Sequence, residues 1–134
     1  MPLLLSDCMR LVIVDFRPDD YSIAIQEWTA QLERRSDALS SGLIVDHCSD
    51  IRSALKRTAA DDPADLCFIN LRLPDGRGVY LYELLQNRWP GVPAFLIGDT
   101  YNAEDEIQVR CKGALYFCKP ADSSWFPLPS QVCC

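Results

Sequence analysis

Five short apolar runs alternate along this chain with stretches that carry apolar residues at helical spacing. The runs span residues 11–14, 43–45, 66–69, 93–97 and 114–118. Each is bounded by polar or turn-forming residues, which is typical of a buried strand. Strands that alternate with helices predict a parallel sheet with helices on both faces. The expected fold class is therefore α/β, with a doubly wound five-stranded parallel sheet.

The stretches between the runs indicate four helices. Pro18 suits the first turn of the first helix, which is expected to end near Arg35. Ser49 or Asp50 is expected to cap the second helix. The third follows Gly78, and the fourth spans 103–112, with acidic residues at its start and basic residues at its end, as the helix dipole favours. A fifth helix is expected to be missing or replaced by an irregular tail, because residues 121–134 contain two prolines.

Length and charge limit the function classes. The 134 residues suit a single domain with one adequate core. The net charge of −6 argues against a nucleic-acid surface, because such a surface neutralises phosphates with basic residues. No run approaches transmembrane length, and residues 3–5 are too short an apolar region for a secretory signal. We expect a cytoplasmic protein with no direct nucleic-acid or membrane partner.

The seven cysteines form a poor disulfide framework, because their number is odd and their spacing is not paired. Those at 48, 67 and 118 fall in predicted strands and are expected to be small buried hydrophobes. The pair Cys133–Cys134 has three readings: a lipidation site, an exposed pair that oxidises between chains, or an incidental tail. His47 and Cys48 are neighbours on a predicted strand and point to opposite faces. They are therefore not expected to act together as a nucleophile and its base. With no zinc spacing and no glycine-rich phosphate loop, we expect no enzyme activity.

Asn70 directly follows the third run, and Asp15 and Lys119 follow the first and the fifth. Chemistry in open parallel sheets collects at the carboxyl ends of strands. These three side chains are therefore expected at one edge of the sheet. The alternative is that Asp15 and Lys119 are ordinary surface residues, whose ion pairs contribute little.

Residues 66–78 resemble the third-strand motif of response-regulator receiver (CheY-like) domains, with Pro74 four residues and Gly78 eight residues after Asn70. The resemblance covers about 110 residues, from Arg10 to Pro120, and implies the flavodoxin-like strand order 2-1-3-4-5. In the family the position of Asn70 holds the aspartate that accepts a phosphoryl group. A carboxamide is not an anionic nucleophile and cannot form an acyl phosphate. The resemblance therefore implies a degenerate receiver, or pseudo-receiver.

This sequence matches the other family motifs at some positions and departs from them at others. Asp15 matches the first of two acids that hold Mg²⁺ in the family, and Phe16 stands at the second. Gly98 stands where the family has a Thr or Ser that contacts the phosphoryl group, and Thr100 is a weaker candidate for that hydroxyl. We expect the charged cluster to reduce to Asp15 and Lys119, with Asn70 between them. No cofactor is expected, and Mg²⁺ binding is predicted to be weak or absent.

The end of the fifth run carries the last motif. Lys119 and Pro120 match the family's Lys-Pro pair, and Tyr116 matches the aromatic whose rotamer reports activation. One residue is deleted just before this aromatic relative to the family. With the fifth helix absent, one face of the sheet is expected to be partly uncovered. The tail residues that could cover that face or form an interface are Trp125, Phe126 and Leu128.

The domain organisation predicted is a leader at 1–9, a receiver-like domain at 10–120 and a tail at 121–134. The expected function is a signal-transduction module that is not phosphorylated at Asn70 and acts by protein–protein interaction. Expected partners are a histidine kinase, a phosphotransfer protein or a downstream regulator, with a homodimer as another arrangement. Two alternatives stay open: a domain of a longer regulator with a DNA-binding or cyclic-nucleotide output, and a thiol-responsive redox switch.

Overall fold

One five-stranded parallel sheet organises the molecule. The structure is a computed structural model, and it describes residues 8–35, 42–60 and 63–119. The strands are β1 Cys8–Val14, β2 Gly42–Cys48, β3 Leu66–Asn70, β4 Ala94–Gly98 and β5 Leu115–Cys118. Their order in the sheet is β2-β1-β3-β4-β5, and every neighbouring pair is parallel, as predicted.

Four α-helices lie in the described part of the chain. They are α1 Ser22–Arg35, α2 Ile51–Ala60, α3 Gly78–Arg88 and α4 Ala103–Cys111. Pro18 opens a 3-10 helix, Pro18–Tyr21, and α1 begins only after it. A small antiparallel hairpin, Arg72–Leu73 with Gly76–Arg77, follows β3 and was not predicted. Its arms are two residues long, too short for a periodic signal in the sequence.

The strand boundaries differ from the predicted runs by a few residues. The first strand begins at Cys8, so the predicted leader at 1–9 overlaps β1 by two residues. The third strand includes Asn70, the residue that was expected to follow it. Asn70 therefore has the paired backbone of a strand residue, which fixes its position at the sheet edge.

The core lies on both faces of the sheet. On one face Trp28 of α1 stacks on Phe68 of β3 at 5.0 Å between ring centroids, and Phe68 stacks on Phe95 at 5.4 Å. The other face packs against α2 and α3, with Val109 of α4 at its margin. All five residues of β3 are buried because both faces of this central strand are covered. A polar side chain at the end of β3 is therefore held in a largely dry position.

The cysteines follow the prediction in part. Cys48 and Cys67 are buried, whereas Cys118 is only half-buried, because β5 lies at the edge of the sheet. Burial raises the pKa of the Cys67 thiol to about 12, so this thiol stays protonated at neutral pH. His47 is exposed beside buried Cys48, which confirms that the two side chains point to opposite faces.

Several expectations lie outside the described residues. They concern the fifth helix, the possible interface of Trp125, Phe126 and Leu128, the Pro120 position and the Cys133–Cys134 pair. These stay predictions. Of the described helices, none has the length and apolar content needed to cross a membrane.

Candidate functional site

The connection from β3 to α3 is closed by a glycine. The Gly78 N–H donates to the Leu71 carbonyl at 2.9 Å, which brings the start of α3 back onto the end of β3. A Cβ at Gly78 would collide with the Asn70 carbonyl oxygen and lie 2.9 Å from its carbonyl carbon. Any side chain at 78 would therefore displace the backbone that carries Asn70. This close approach is the physical reason for a glycine eight residues after Asn70.

The turn of the hairpin is tied to a neighbouring helix. Asp75, next to Pro74 in this turn, accepts hydrogen bonds from the first backbone N–H groups of α2, those of Ile51 at 2.9 Å and Arg52 at 3.1 Å. Asp50 caps the same helix, because its carboxylate accepts the Ser53 N–H at 2.8 Å. The loop after Asn70 is therefore anchored at both its start and its middle.

Asp15 follows β1, and both of its carboxylate oxygens accept hydrogen bonds. One carboxylate oxygen, Oδ1, accepts the Arg17 N–H at 3.0 Å. The other, Oδ2, accepts from the Tyr21 hydroxyl at 2.9 Å and from Asn70 Nδ2 at 3.0 Å, and lies 2.9 Å from Lys119 Nζ. Asp15 is 2% exposed, so these contacts replace the water that the carboxylate loses on folding.

Lys119 is the centre of a charged cluster with three carboxylates. Its Nζ lies 2.9 Å from Asp15, 2.8 Å from Asp20 and 3.1 Å from Asp99. Its backbone N–H donates to the Gly98 carbonyl at 2.9 Å, which places it at the edge of the sheet beside β4. The expectation that the cluster reduces to Asp15 and Lys119 is wrong. Three negative charges and one positive charge meet here, a formal net charge of −2.

Asn70 bridges two members of this cluster. Its Nδ2 donates to Asp15 Oδ2 at 3.0 Å and to Asp99 Oδ1 at 3.1 Å, and its Oδ1 accepts the Arg72 N–H at 2.8 Å. An amide can donate two hydrogen bonds and accept at its oxygen, so all of these contacts suit a carboxamide. A carboxylate has no hydrogen to donate and could not make the first two. The surroundings of Asn70 therefore suit an amide and not a carboxylate at this position.

Hydrogen bonds within the cluster favour the charged forms of Asp99 and Lys119. Burial alone would raise the pKa of Asp99, but hydrogen bonds from Lys119 and Asn70 outweigh it and hold that pKa below its usual value. Burial would lower the pKa of Lys119, but hydrogen bonds to Asp20 and Asp15 outweigh it and raise that pKa. Burial, followed by the charge of Asp15, raises the pKa of Tyr21 well above its usual value, so its hydroxyl keeps its proton.

Phe16 follows Asp15 but lies at the surface. Its side chain is 40% exposed, and the Arg17 guanidinium lies over its ring at 4.9 Å from the centroid. The phenyl ring supplies no oxygen at this position. Among the described residues, no three His, Cys, Asp or Glu side chains are arranged to hold a metal ion.

A small polar pocket adjoins Asn70 on the side of β4. Gly98 ends β4, and a Cβ there would lie 3.1 Å from the Tyr116 hydroxyl oxygen and 3.0 Å from the Thr100 carbonyl oxygen. Thr100, the weaker candidate for the missing hydroxyl, is part of the wall of this pocket. The pocket has a volume of about 70 Å³ and is lined by Asn70, Leu71, Arg72, Gly98, Asp99, Thr100, Asn102 and Asp105.

The structure thus brings Asp15, Asn70 and Lys119 together, as predicted, and adds residues that the sequence analysis did not assign to the site. Asp20 lies two residues after Pro18 and was not assigned to the site, and Asp99 lies between Gly98 and Thr100, the two positions that were compared with the family. The available signal for Asp99 was its place directly after a buried strand, the same place that identified Asp15.

Comparisons with known proteins agree on the fold. No protein-family model matches the chain. The response regulator protein PilR of Pseudomonas aeruginosa is 37% identical over 79 residues, and the match covers 54% of this chain and 18% of PilR. The chain therefore spans less than a fifth of the length of this relative.

Solved structures of receiver domains superpose over most of the chain. The phosphorylated cyanobacterial phytochrome response regulator RcpA gives a TM-score of 0.67 at 17% identity, covering 93% of this chain and 86% of RcpA. A CheY-like receiver domain protein from Methanospirillum hungatei JF-1 gives 0.65 at 20% identity, covering 87% and 85%. At these identities the superpositions establish the architecture that was expected from the sequence.

Proposed function

We propose that this chain, a response-regulator receiver-like (CheY-like) domain, works in signal transduction by binding a protein partner without being phosphorylated at Asn70. The observation that carries the proposal is the bridging amide. Asn70 uses both of its Nδ2 hydrogens on Asp15 and Asp99 and its Oδ1 on the Arg72 backbone. The residue at the acceptor position is therefore part of the structure of the site, and its amide nitrogen cannot replace a carboxylate nucleophile.

Mg²⁺ does not fit these residues as they are arranged. A hard divalent cation takes oxygen ligands in near-octahedral geometry. Both Asp15 oxygens already accept hydrogen bonds, and the ammonium of Lys119 lies among the three carboxylates. A cation would have to displace this ammonium, and Phe16 contributes no ligand. We therefore propose that the domain works without Mg²⁺ or any other cofactor, and that it is not an enzyme.

The consequence for signalling is a single resting state. A ligand shifts a two-state domain only by its difference in affinity for the two states. If neither phosphoryl group nor Mg²⁺ binds, neither can supply that difference, and the domain presents one surface to its partner. Suitable partners are a histidine kinase, a phosphotransfer protein or a downstream regulator in the cytoplasm, or a second copy of the chain.

A second candidate is a regulatory domain of a longer protein. PilR is a longer response regulator of which the match covers 18%. In that arrangement the same phosphorylation-independent surface would bind an output domain, for DNA binding or cyclic-nucleotide signalling, within one polypeptide. The full-length gene distinguishes this arrangement from a free-standing module.

Phosphoryl transfer is the first test. The purified chain is incubated with acetyl phosphate and Mg²⁺ and analysed by intact mass, with Asn70→Ala as the matched control. Both proteins are expected to stay unmodified. A phosphoryl group that is lost on base treatment and maps to Asp15, Asp20 or Asp99 would show an acyl phosphate in the site and contradict the proposal.

Partner binding is the second test. A protein captured from a lysate of the source organism is purified, and its dissociation constant for the chain is measured with and without acetyl phosphate. The proposal predicts constants that agree within about twofold, a free-energy difference of about 0.4 kcal/mol. A tenfold change in affinity on addition of the phosphodonor would show that binding depends on phosphorylation.

A further inference from the structure

β2 forms one edge of the sheet and is as long as β1. It spans Gly42–Cys48, and its seven residues pair in parallel with Cys8–Val14 in a continuous register. Among the described residues, no strand pairs with its other side. An edge strand presents a row of backbone N–H and C=O groups with which another strand can pair. β2 therefore offers a long template for strand pairing.

A hydrogen bond at the end of β2 shows which of its residues face outward. The Cys48 carbonyl accepts the Asp15 N–H at 2.9 Å, so the backbone groups of Cys48 point to β1. The backbone groups of successive residues in a strand point to opposite sides. Those of Leu43, Val45 and His47 therefore point away from β1. We call these three residues the outward row.

β2 lacks the features that usually block an edge. Natural sheets protect their edges with very short strands, with Lys or Pro, or with bulges. β2 contains neither Lys nor Pro, whereas β5 at the opposite edge is only four residues long. The side chain of Ile44 is 40% exposed, and those of Leu43 and Val45 are half-buried. The middle of this edge is therefore apolar as well as open to pairing.

The one acidic side chain of β2 has its charged partner within the same chain. Asp46 Oδ2 accepts a hydrogen bond from Arg57 Nε at 2.7 Å, and Arg57 Nη2 lies 2.7 Å from the same oxygen. The Arg57 side chain is 9% exposed, and its guanidinium lies over the Trp89 ring at 5.5 Å from the centroid. This cation is thus held in place by α2 and the end of α3. A second strand can approach β2 without meeting an uncompensated charge.

We infer that β2 pairs with β2 of a second copy of this chain, antiparallel about a two-fold axis at Val45, so that the two sheets become continuous. In this register Val45 lies opposite Val45 and Leu43 opposite His47, and each of these pairs exchanges two backbone hydrogen bonds. Ile44 lies opposite Asp46, so no two like charges face each other directly. The outward row is thus complementary to itself, as a two-fold interface requires.

This interface goes beyond the proposed function, because it does not depend on Asn70 or on the partner that binds elsewhere. A second copy fits the edge better than an unrelated strand, because the apolar middle and the charge arrangement match in the self-paired register. The pairing would give the domain a dimeric form in which both Asn70 sites stay accessible at the carboxyl ends of the strands.

Sedimentation and hydrogen exchange test the interface in the wild-type chain. Analytical ultracentrifugation at physiological ionic strength, which screens the net charge of −6, is expected to show a monomer–dimer equilibrium. By NMR, the amides of the outward row should exchange quickly in dilute samples and slowly in concentrated ones. An amide that exchanges only from the free chain slows about tenfold when about nine chains in ten are paired. The amides of Ile44 and Asp46 point to β1 and should be protected at both concentrations.

His47→Pro tests the register. The His47 side chain is exposed and its N–H points away from β1, so proline here removes no hydrogen bond of the sheet. Across the two-fold axis the change removes two hydrogen bonds of about 1 kcal/mol each, so association should weaken about thirtyfold. His47→Ala keeps the N–H and is the matched control, with a dissociation constant expected within about twofold of wild type.

Far-UV circular dichroism shows whether His47→Pro folds, and if it does not, the exchange pattern of the wild-type chain carries the test. A monomer at every concentration, or a dimer that leaves exchange of the outward row unchanged, would overturn the inference. Equal association of folded His47→Pro and wild type would also overturn it. Protection of the outward row that appears only with another protein would show that the edge takes a foreign strand instead. None of these outcomes bears on phosphoryl transfer, which tests the proposed function separately.

Discussion

The amide nitrogen of Asn70 lies 3.0 Å from the buried Oδ2 of Asp15, the same oxygen that Lys119 approaches at 2.9 Å. One carboxylate oxygen thus receives a neutral donor from the last residue of β3 and a charged donor from the residue that follows β5. Asn70 also donates to Asp99, so the amide joins two carboxylates that would otherwise repel each other. We propose that these residues satisfy one another and leave no vacancy for a phosphoryl group or a metal ion.

Asn70→Asp is expected to destabilise the domain at neutral pH. The change removes two donated hydrogen bonds and places a third carboxylate beside Asp15 and Asp99. We expect a loss of about 1–3 kcal/mol in the free energy of unfolding, the usual cost of an unsatisfied buried group. Repulsion raises the folded-state pKa of the new carboxyl, so the difference from wild type should shrink as the pH falls through that pKa. Urea unfolding at several pH values measures it, and equal stability at neutral pH would contradict the account.

Lys119→Met is expected to lower the free energy of unfolding by more than Asn70→Asp does, about 3 kcal/mol or above. The reason is that it leaves the buried Asp15 carboxylate without its charged partner. The side chain of Lys119 is 10% exposed and that of Asp15 is fully buried. Lys112→Met is the matched control. Lys112 pairs with Glu83 at the surface, where removing the pair should change stability by no more than about 1 kcal/mol. Similar urea midpoints for the two variants would show that the cluster contributes no more than a surface pair.

The stability should fall at acid pH partly through Asp99. Its pKa is lowered in the folded state, so its contribution is complete above the unfolded value of about 3.9 and is lost as the pH falls through the folded value. Lys119 has a raised pKa, so its contribution is complete below about 10.4 and is lost as the pH rises through its folded value. Asp99→Asn should therefore flatten the acid limb of a stability curve. Urea unfolding of Asp99→Asn and of wild type across the acid range measures this, and acid limbs of equal slope would count against the prediction.

Gly78→Ala is expected to destabilise the domain by about 3 kcal/mol or more, as strongly overpacked sites do. Helix propensity alone would predict a gain in stability, because it favours Ala over Gly by about 1 kcal/mol. The cause is the collision of the new Cβ with the Asn70 carbonyl. Gly91→Ala is the control, because a Cβ there meets no atom within 4 Å and the change costs only the positive φ, about 1–2 kcal/mol. A larger loss of stability in Gly91→Ala than in Gly78→Ala would show that the close approach of residue 78 to the Asn70 carbonyl does not exclude a side chain.

The fold was predictable from the sequence because its signals are local and repeated. Each strand is a short apolar run, and each helix has a period or a cap that is visible in the sequence. Asp15, Asn70 and Lys119 could be placed at one edge because parallel strands end on the same side of a sheet. The hairpin after β3 was missed because two-residue strands have no period.

The rest of the site depends on distances that the sequence does not encode locally. Asp20 and Lys119 are 99 residues apart, and their contact follows from the 3-10 turn that sets the position of Asp20. Asp99 could have been found as an acid after a strand, but its contact with Asn70 depends on how the loop after β4 turns. The collision that excludes a side chain at 78 required the coordinates of Asn70.

The most direct test of the account is an NMR titration of the wild-type chain with Mg²⁺ into the millimolar range. The amide signals of Asp15, Asn70 and Lys119 and the side-chain amide of Asn70 are followed. If the cluster satisfies itself, these signals should stay unchanged up to the highest concentration. Saturable shifts confined to Asp15, Asn70 and their neighbours would show that Mg²⁺ displaces the Lys119 ammonium, and would contradict the central claim.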